Sequence, residues 1–332
     1  MNDASGLARQ VLAIFAILLG LTTQAIAAKD CAAPKLMTSI DLIVPAGGPA
    51  IIPVTLNGKR AGLTLRLDAI ASMISSSSAD EWSLPRRKAP RELMVGDRKV
   101  EQMAEYDELA VGDLNYGKGL FLISPAPMGA PTVEGVEVIG FLSGSAFRGV
   151  DFELDLSHGK FKVFSQDHCP GEAVYWSDQY GSAPLFRGTT GELFFPLEVE
   201  GKKVYAAISN TRPVTTMGSD VTRALYGFDK SSPGVEQTRE ADGTTYHYRT
   251  MQLTASGLKV TNARIRLVDP DKNCPFDKTT KVASYLCAGG YPMVLGEDVL
   301  KQLRLYFATK EGKLYFTSSE VGATQTKVQT GR

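Results

Sequence analysis

The chain contains one series of sequence elements twice, and this duplication restricts the folds that it can adopt. Each copy opens with an apolar hairpin, at residues 51–75 in the first half and 193–217 in the second. In both, a proline begins an alternating strand, and a turn dipeptide, Asn57-Gly58 or Glu200-Gly201, precedes a second strand. A duplication of this kind predicts two structurally related lobes.

Three further elements follow each hairpin in the same order. They are a short helix (76–84 and 218–228), a pair of strands around a glycine-containing turn (109–123 and 253–268), and an apolar pair plus Gly with a short helix and a terminal hairpin (138–164 and 293–316). Strand signals dominate and the helical windows are short. The sequence therefore predicts a mostly β architecture of two partly open β-barrels with short helices.

The segment between the copies, residues 166–191, is rich in Gly, Ser and aromatic residues and has no hydrophobic periodicity. We therefore expect a connection between the lobes there. The predicted organisation is a signal peptide at 1–27, an N-terminal lobe at 28–168, a connection at 169–191, a C-terminal lobe at 192–318 and a flexible tail at 319–332.

The N-terminus has the pattern of a signal peptide. A single basic residue, Arg9, precedes an apolar run at residues 11–21, and Ala25 and Ala27 form the A-x-A pattern of a cleavage site. An anchoring helix is the alternative, but the run is shorter than the roughly 20 residues of a membrane span. We expect a periplasmic or secreted protein without a membrane span after cleavage.

The charge and the cysteine content of the chain limit which classes of partner and cofactor we expect. Lys plus Arg equals Asp plus Glu at 36 each, which gives no basic field for nucleic acid or an anionic membrane. Four cysteines in an exported chain favour two disulfides, and we prefer Cys274 with Cys287 and Cys31 with Cys169. Neither a zinc-ligand pattern nor a phosphate or dinucleotide fingerprint occurs, so we expect no metal and no cofactor.

The elements resemble the pepsin-like and retropepsin-like aspartic peptidases over nearly all of the mature chain. In that family each lobe carries a hairpin, a D-[TS]-G loop, a flap hairpin and a later apolar-apolar-Gly segment. Here LRLDAIASMIS matches a strand followed by D-T-G-A-S, so the resemblance aligns Asp68 with a catalytic aspartate. In the second half, Ser209-Asn210-Thr211 stands in place of D-T-G, and segments ending at Gly140 and Gly296 match the apolar-apolar-Gly element.

The resemblance implies a two-lobed pepsin/retropepsin-like acid-protease fold, of the bacterial exported type, with degenerate D-T-G motifs. The first hairpin is two residues longer between Pro53 and Asp68 than the second is between Pro196 and Ser209. We attribute the difference to a longer turn at residues 58–62.

The chemistry of this family requires two carboxylates that share a proton and activate one water. Ser209 is an alcohol and cannot replace the second acid. In the first loop Ala69 lacks the Thr hydroxyl that would support the opposite loop, and Ile70 replaces a Gly although a β-branched residue resists positive φ. These departures predict weak or absent proteolysis.

By the same resemblance, an extended peptide or unfolded protein segment would lie in a cleft beneath the flap. Gly96 and Gly243 would form the tips of the two flap hairpins, and Tyr246 or Tyr248 could cover the groove. The candidate substrate-binding residues are Ser72, Gly96, Asn210, Thr211, Gly243 and Tyr246.

Five other interpretations stay open or are disfavoured by the residues. Asp68 could be a plain turn residue that binds nearby amides, or could work in an active endopeptidase with a non-aligned or partner-supplied carboxylate. A non-catalytic scaffold would have its cleft filled by Ile70, Arg212 and Met217. A serine hydrolase is disfavoured because no G-x-S-x-G elbow occurs, and residues 269–277 lack the Gly and the distal Glu of an EF-hand loop.

We expect the exported chain to begin at Ala28, because signal peptidase cleaves after the second small residue of the A-x-A pattern. Intact-mass measurement of the protein recovered from a secreting host checks this. Recovery of the full 332-residue mass in the exported fraction would contradict the assignment.

Overall fold

The computed structural model describes residues 32–95, 98–125, 128, 131–188, 191–269, 291–319 and 327–330. Its secondary structure is mostly β, which confirms the mostly β class predicted from the strand signals. The described residues from Ala33 onward form one compact unit. Among the described residues, no helix has both the length and the apolar character needed to cross a membrane. The predicted signal peptide lies outside these residues.

The strands of the first half are β1 (Leu36–Asp41), β2 (Ile51–Leu56), β3 (Lys59–Arg66), β4 (Met73–Ile74), β5 (Arg86–Val95), β6 (Arg98–Tyr106), β7 (Leu109–Val111), β8 (Leu114–Asn115), β9 (Gly119–Ile123), β10 (Thr132–Val133), β11 (Val136–Ser143), β12 (Asp151–Asp155) and β13 (Lys160–Phe164). Those that follow are β14 (Gly181–Pro184), β15 (Phe186–Arg187), β16 (Leu193–Val199), β17 (Lys202–Ile208), β18 (Thr216–Gly218), β19 (Glu236–Arg239), β20 (Thr245–Ala255), β21 (Leu258–Val268), β22 (Met293–Leu295), β23 (Leu303–Ala308), β24 (Lys313–Ser318) and β25 (Lys327–Thr330). The helices are α1 (Ser76–Glu81), α2 (Ser219–Tyr226), α3 (Glu297–Leu300) and one 3-10 helix, Gly144–Phe147.

The two large sheets share the order of seven strands, from β5 to β2 in the first half and from β19 to β16 in the second. In the first half the order is β5-β6-β9-β4-β11-β3-β2-β7-β8, and in the second it is β19-β20-β21-β18-β22-β17-β16-β15. The kind of pairing also repeats. Strand β3 is parallel to β11 as β17 is to β22, and β4 is antiparallel to β11 as β18 is to β22. The duplication read from the sequence is therefore present in the sheet topology.

A third sheet combines strands from both halves in the order β1-β13-β12-β23-β24-β14. Its central pair, β12 and β23, is antiparallel, and across it the rings of Phe152 and Phe307 stack with their centroids 4.3 Å apart. One cluster of buried apolar side chains includes residues from all three sheets. Burial of this shared surface holds the two halves together.

Two segments predicted without regular structure contain strands. The predicted connection includes β14, which pairs with β24, and β15, which pairs with β16. The predicted tail includes β25, which pairs with β21. Of the four cysteines only Cys169 is described, and it is buried and takes part in a disulfide. Cys31, Cys274 and Cys287 lie outside the described residues, so the pairing stays a prediction.

A buried histidine lies next to the shared sheet at the start of the connection. The side chain of His168 is 2% exposed, and its Nε2 is 2.6 Å from an oxygen of Asp151 on β12. Its Nδ1 is 3.0 Å from the carbonyl oxygen of Cys169. Both ring nitrogens thus face acceptors, which a protonated imidazole satisfies. Burial is the largest influence and by itself lowers the pKa of His168. The hydrogen bonds with Asp151 and Cys169, together with the negative charges of Asp151 and Glu311, outweigh burial and raise this pKa.

We expect the free energy of unfolding to depend on pH through this pair. A pKa raised by folding contributes stability that is fully present below the unfolded value, about 6.5. The contribution is lost as pH rises through the higher folded pKa. Denaturant unfolding at a series of pH values should show this loss in the parent and not in His168→Gln or Asp151→Asn. An unchanged pH dependence in both variants would contradict the assignment.

Candidate functional site

The structure changes the register in which the two halves correspond. Both hairpins turn through two residues with positive φ, Asn57-Gly58 (47° and 77°) and Glu200-Gly201 (46° and 75°), as in a type I′ turn. The longer turn expected at residues 58–62 does not occur, because β3 begins directly after Gly58. Counted from these turns, Thr211 is the counterpart of Asp68. Ser209, aligned with Asp68 on the motif, is instead the counterpart of Arg66.

Two independent contacts agree with the corrected register. The amide of Ser143 donates to the hydroxyl of Ser72 at 3.0 Å, and the amide of Gly296 donates to the hydroxyl of Thr215 at 3.0 Å. Ser72 and Thr215 lie equally far beyond Asp68 and Thr211. The segment ending at Gly140 is therefore not the counterpart of the segment ending at Gly296, because Ser143 occupies that place.

A glycine is required at position 140 because of close backbone packing, although Gly140 is not the counterpart of Gly296. A Cβ at this position would lie 2.1 Å from the carbonyl oxygen of Met73, because β11 and β4 pair there at very short distance. A Cβ at Gly296 would lie 2.4 Å from the carbonyl carbon of Val214. In each half, a glycine thus permits close backbone packing beneath the loop.

The carboxylate of Asp68 is bound by groups from both halves. Its Oδ2 accepts a hydrogen bond from Ser209 Oγ at 2.8 Å and one from Thr211 Oγ1 at 3.3 Å. Its Oδ1 lies 3.4 Å from Nε of Arg66. Among the described residues, no acidic side chain is a hydrogen-bond partner of Asp68. Because two donors come from the other half, Asp68 is not the plain turn residue of the local interpretation.

Asn210 joins the two halves below this carboxylate. Its side chain is fully buried, its Nδ2 donates to the carbonyl oxygen of Leu65 at 2.8 Å, and its Oδ1 accepts from the amide of Leu67 at 2.9 Å. Both polar atoms of the amide are therefore used by the backbone on either side of Arg66. Asn210 was predicted to bind substrate, but its side chain is enclosed and acts as an inter-half clamp.

The hydroxyls of Ser72 and Thr215 hold the loops that follow Asp68 and Thr211. Thr215 also donates to Oδ1 of Asp298 at 2.7 Å, and burial raises the pKa of that carboxyl group. Ser72, predicted to bind substrate, thus accepts a bond that positions β11. Thr215 and Asp298 were not predicted, although the Ser72 position in the first half could have indicated Thr215.

An apolar cluster lies beside Asp68 in the first half. Ala69, Met73, Phe141 and Val100 are buried in it, and Leu122 and Met128 pack against it. Val100 belongs to β6, the second strand of the first predicted flap hairpin. This hairpin therefore contacts the segment that follows Asp68, as a flap would. Its predicted tip, Gly96, lies outside the described residues.

The second predicted flap hairpin, β19 and β20, turns at Gly243, which has a φ of 79°. The hydroxyl of Tyr246 donates to Asp242 at 2.6 Å, and this bond raises the pKa of Tyr246. Tyr248, considered as a cover for the groove, is 1% exposed, and Nε of Arg266 donates to its hydroxyl at 2.9 Å. Tyr248 is thus part of the hairpin's interior.

The three residues expected to fill a closed cleft are placed differently. Met217 is 1% exposed and packs in the main core. Ile70 is 45% exposed and Arg212 is also exposed. A scaffold whose cleft is filled by these side chains is therefore not supported by their positions.

No protein-family model matches the sequence, and no curated protein matches it either. The described residues contain no cluster of His, Cys, Asp and Glu side chains suited to a metal ion. The site is thus defined by its own geometry: one carboxylate bonded to two hydroxyls and a guanidinium where two strand ends meet.

We expect Asn210→Ala to lower the free energy of unfolding by about 2–4 kcal/mol, because it leaves two buried backbone groups unpaired. Asn210→Asp should be similarly destabilising, since a carboxylate oxygen would face the carbonyl of Leu65. Denaturant unfolding checks both variants. The matched control, Asn115→Ala, removes an exposed amide and should change stability by no more than about 0.5 kcal/mol. A cost for Asn210→Ala equal to the control would contradict the clamp.

Proposed function

We propose that this chain is an exported, two-lobed protein with a pepsin/retropepsin-like fold that binds extended peptides between its lobes without hydrolysing them. The observation that carries the proposal is the pairing of Asp68 with Thr211 and Ser209. A hydroxyl group stands at the position related to Asp68 by the duplication. This pairing supports a centre of the two-lobed acid-protease type in which the second acid is missing.

The repeated strand order supports the fold assignment. Both large sheets have a parallel pair, an antiparallel pair and a second parallel pair around their centre, and the third sheet spans both halves. This arrangement agrees with the resemblance of the sequence to the aspartic peptidases. The resemblance supports the fold of this family more strongly than it supports the family's catalytic activity.

The missing acid argues against catalysis on chemical grounds. Peptide hydrolysis by this family needs a proton shared between two carboxylates and a water held by both. An alcohol such as Thr211 remains protonated and can only donate to Asp68. The site also has Ile70 and Pro213 where the two loops of the family have glycine, which restricts the approach of a peptide backbone.

Peptide binding does not depend on that chemistry. Exposed groups surround the junction: the side chain of Asp68 is 19% exposed, that of Arg66 is 39% exposed, and Ile70 is 45% exposed. The apolar cluster and the hairpin β5–β6 lie beside them. A surface with partly exposed polar groups, the exposed apolar side chain of Ile70 and a hairpin beside it suits an extended chain that pairs with a strand edge.

The rival is an active endopeptidase in which a partner copy supplies the second carboxylate. Purified residues 28–332 are incubated with a mixed unfolded-protein substrate from acid to neutral pH, beside Asp68→Asn. We expect no cleavage above background from either protein. Cleavage that is lost in Asp68→Asn would contradict the proposal and support the rival.

We also expect a fluorescently labelled pool of random decapeptides to bind the parent in an anisotropy titration. Ile70→Asp should weaken this binding, because it places a charge on an exposed apolar residue beside Asp68. The matched control, Leu36→Asp, changes a residue with 49% exposure on β1, in the shared sheet, and should bind as the parent does. Equal loss in both variants, or no binding by the parent, would argue against the proposed site.

A further inference from the structure

Arg66 is a cation next to the central carboxylate. It ends β3, two residues before Asp68, and its side chain is 39% exposed. Its guanidinium carbon lies 4.9 Å from the centroid of the Phe141 ring, a distance typical of cation–π stacking. The ring thus holds the guanidinium at the border between the apolar cluster and the polar junction.

The contact between Arg66 and Asp68 uses only part of the guanidinium. Nε lies 3.4 Å from Oδ1, longer than the 2.7–2.9 Å of a strong charge-assisted hydrogen bond. Within the described residues this is the side chain's one hydrogen bond. A guanidinium has five N–H donors in a planar fork, so the Nη groups can bind a second acceptor while Nε remains at Asp68.

The carboxylate of Asp68 does not prevent Arg66 from binding a second acceptor. Its Oδ2 already accepts from Ser209 and Thr211, and these hydroxyls disperse part of its negative charge. The neighbouring apolar side chains reduce the exposure of the site to water on one side, which strengthens an ion pair. An incoming carboxylate would thus meet an oriented fork of donors.

We propose that Arg66 makes the site selective for acidic peptides. The proposal rests on the proposed peptide-binding function and names the class of ligand. A carboxylate of the peptide binds the Nη groups of Arg66, and an adjacent apolar side chain packs against the exposed Ile70. The carboxylate belongs to an Asp or Glu side chain or to the C-terminus of the peptide, since the two present the same group.

Three labelled decapeptide pools distinguish these sources. All have the same randomised apolar positions: the first has Glu at the fixed positions and an amidated C-terminus, the second has Gln and an amidated C-terminus, and the third has Gln and a free C-terminus. Affinities are measured by anisotropy at low and at physiological salt with the parent, Arg66→Gln, Arg66→Lys and Arg60→Gln. Arg60 is exposed on the same strand, β3, so its variant is the matched control.

We expect the parent to bind the first or the third pool about 3- to 10-fold more tightly than the second, as for a half-exposed charge pair. The preference should weaken with salt. Arg66→Gln should bind all pools alike, Arg66→Lys should keep part of the preference because it loses the planar fork, and Arg60→Gln should match the parent. Preference for the first pool identifies a side-chain carboxylate, and preference for the third identifies the chain terminus.

Equal affinity of the parent for all three pools would overturn the role of Arg66 and leave the proposed function intact. A preference that persists in Arg66→Gln would also overturn it. Failure of the parent to bind any pool would instead contradict peptide binding itself. Thermal unfolding of each variant verifies that it is folded before its affinity is compared.

Discussion

The buried amide of Asn210 is the contact on which the geometry of the site depends. It binds the backbone on both sides of Arg66, so it fixes the end of β3 relative to the end of β17. Asp68 and Thr211, each one residue beyond the clamped positions, are brought within hydrogen-bonding distance as a result. A displaced clamp would separate the two loops and expose two unpaired backbone groups.

The clamp is one-sided, although the surrounding strands repeat. The counterpart of Asn210 is Leu67, whose apolar side chain is fully buried and belongs to the core. A single side-chain amide donates to one backbone carbonyl and accepts from one backbone amide of the opposite half. The asymmetry of the two loops therefore extends beyond the missing acid.

Much of the fold followed from local physical rules. The turn dipeptides and the alternating apolar residues predicted both hairpins, and the order of elements predicted the repeated strand order. The register was wrong because Ser209-Asn210-Thr211 was matched to D-T-G by residue type. The spacing from Gly58 to Asp68 equals the spacing from Gly201 to Thr211, and it identifies Thr211 as the counterpart of Asp68. This spacing is the better guide because a two-residue turn sets the register of both strands of a hairpin.

The contacts that define the site could not be predicted from local rules, because they join residues far apart in the chain. The bonds from Asn210 to Leu65, from Ser209 to Asp68 and from His168 to Asp151 are of this kind. Nothing in the sequence near Asn210 distinguishes a clamp from a substrate ligand. Only the depth of burial, 0% exposure for Asn210 against 19% for the side chain of Asp68, separates the residue that builds the site from the residue that a ligand can reach.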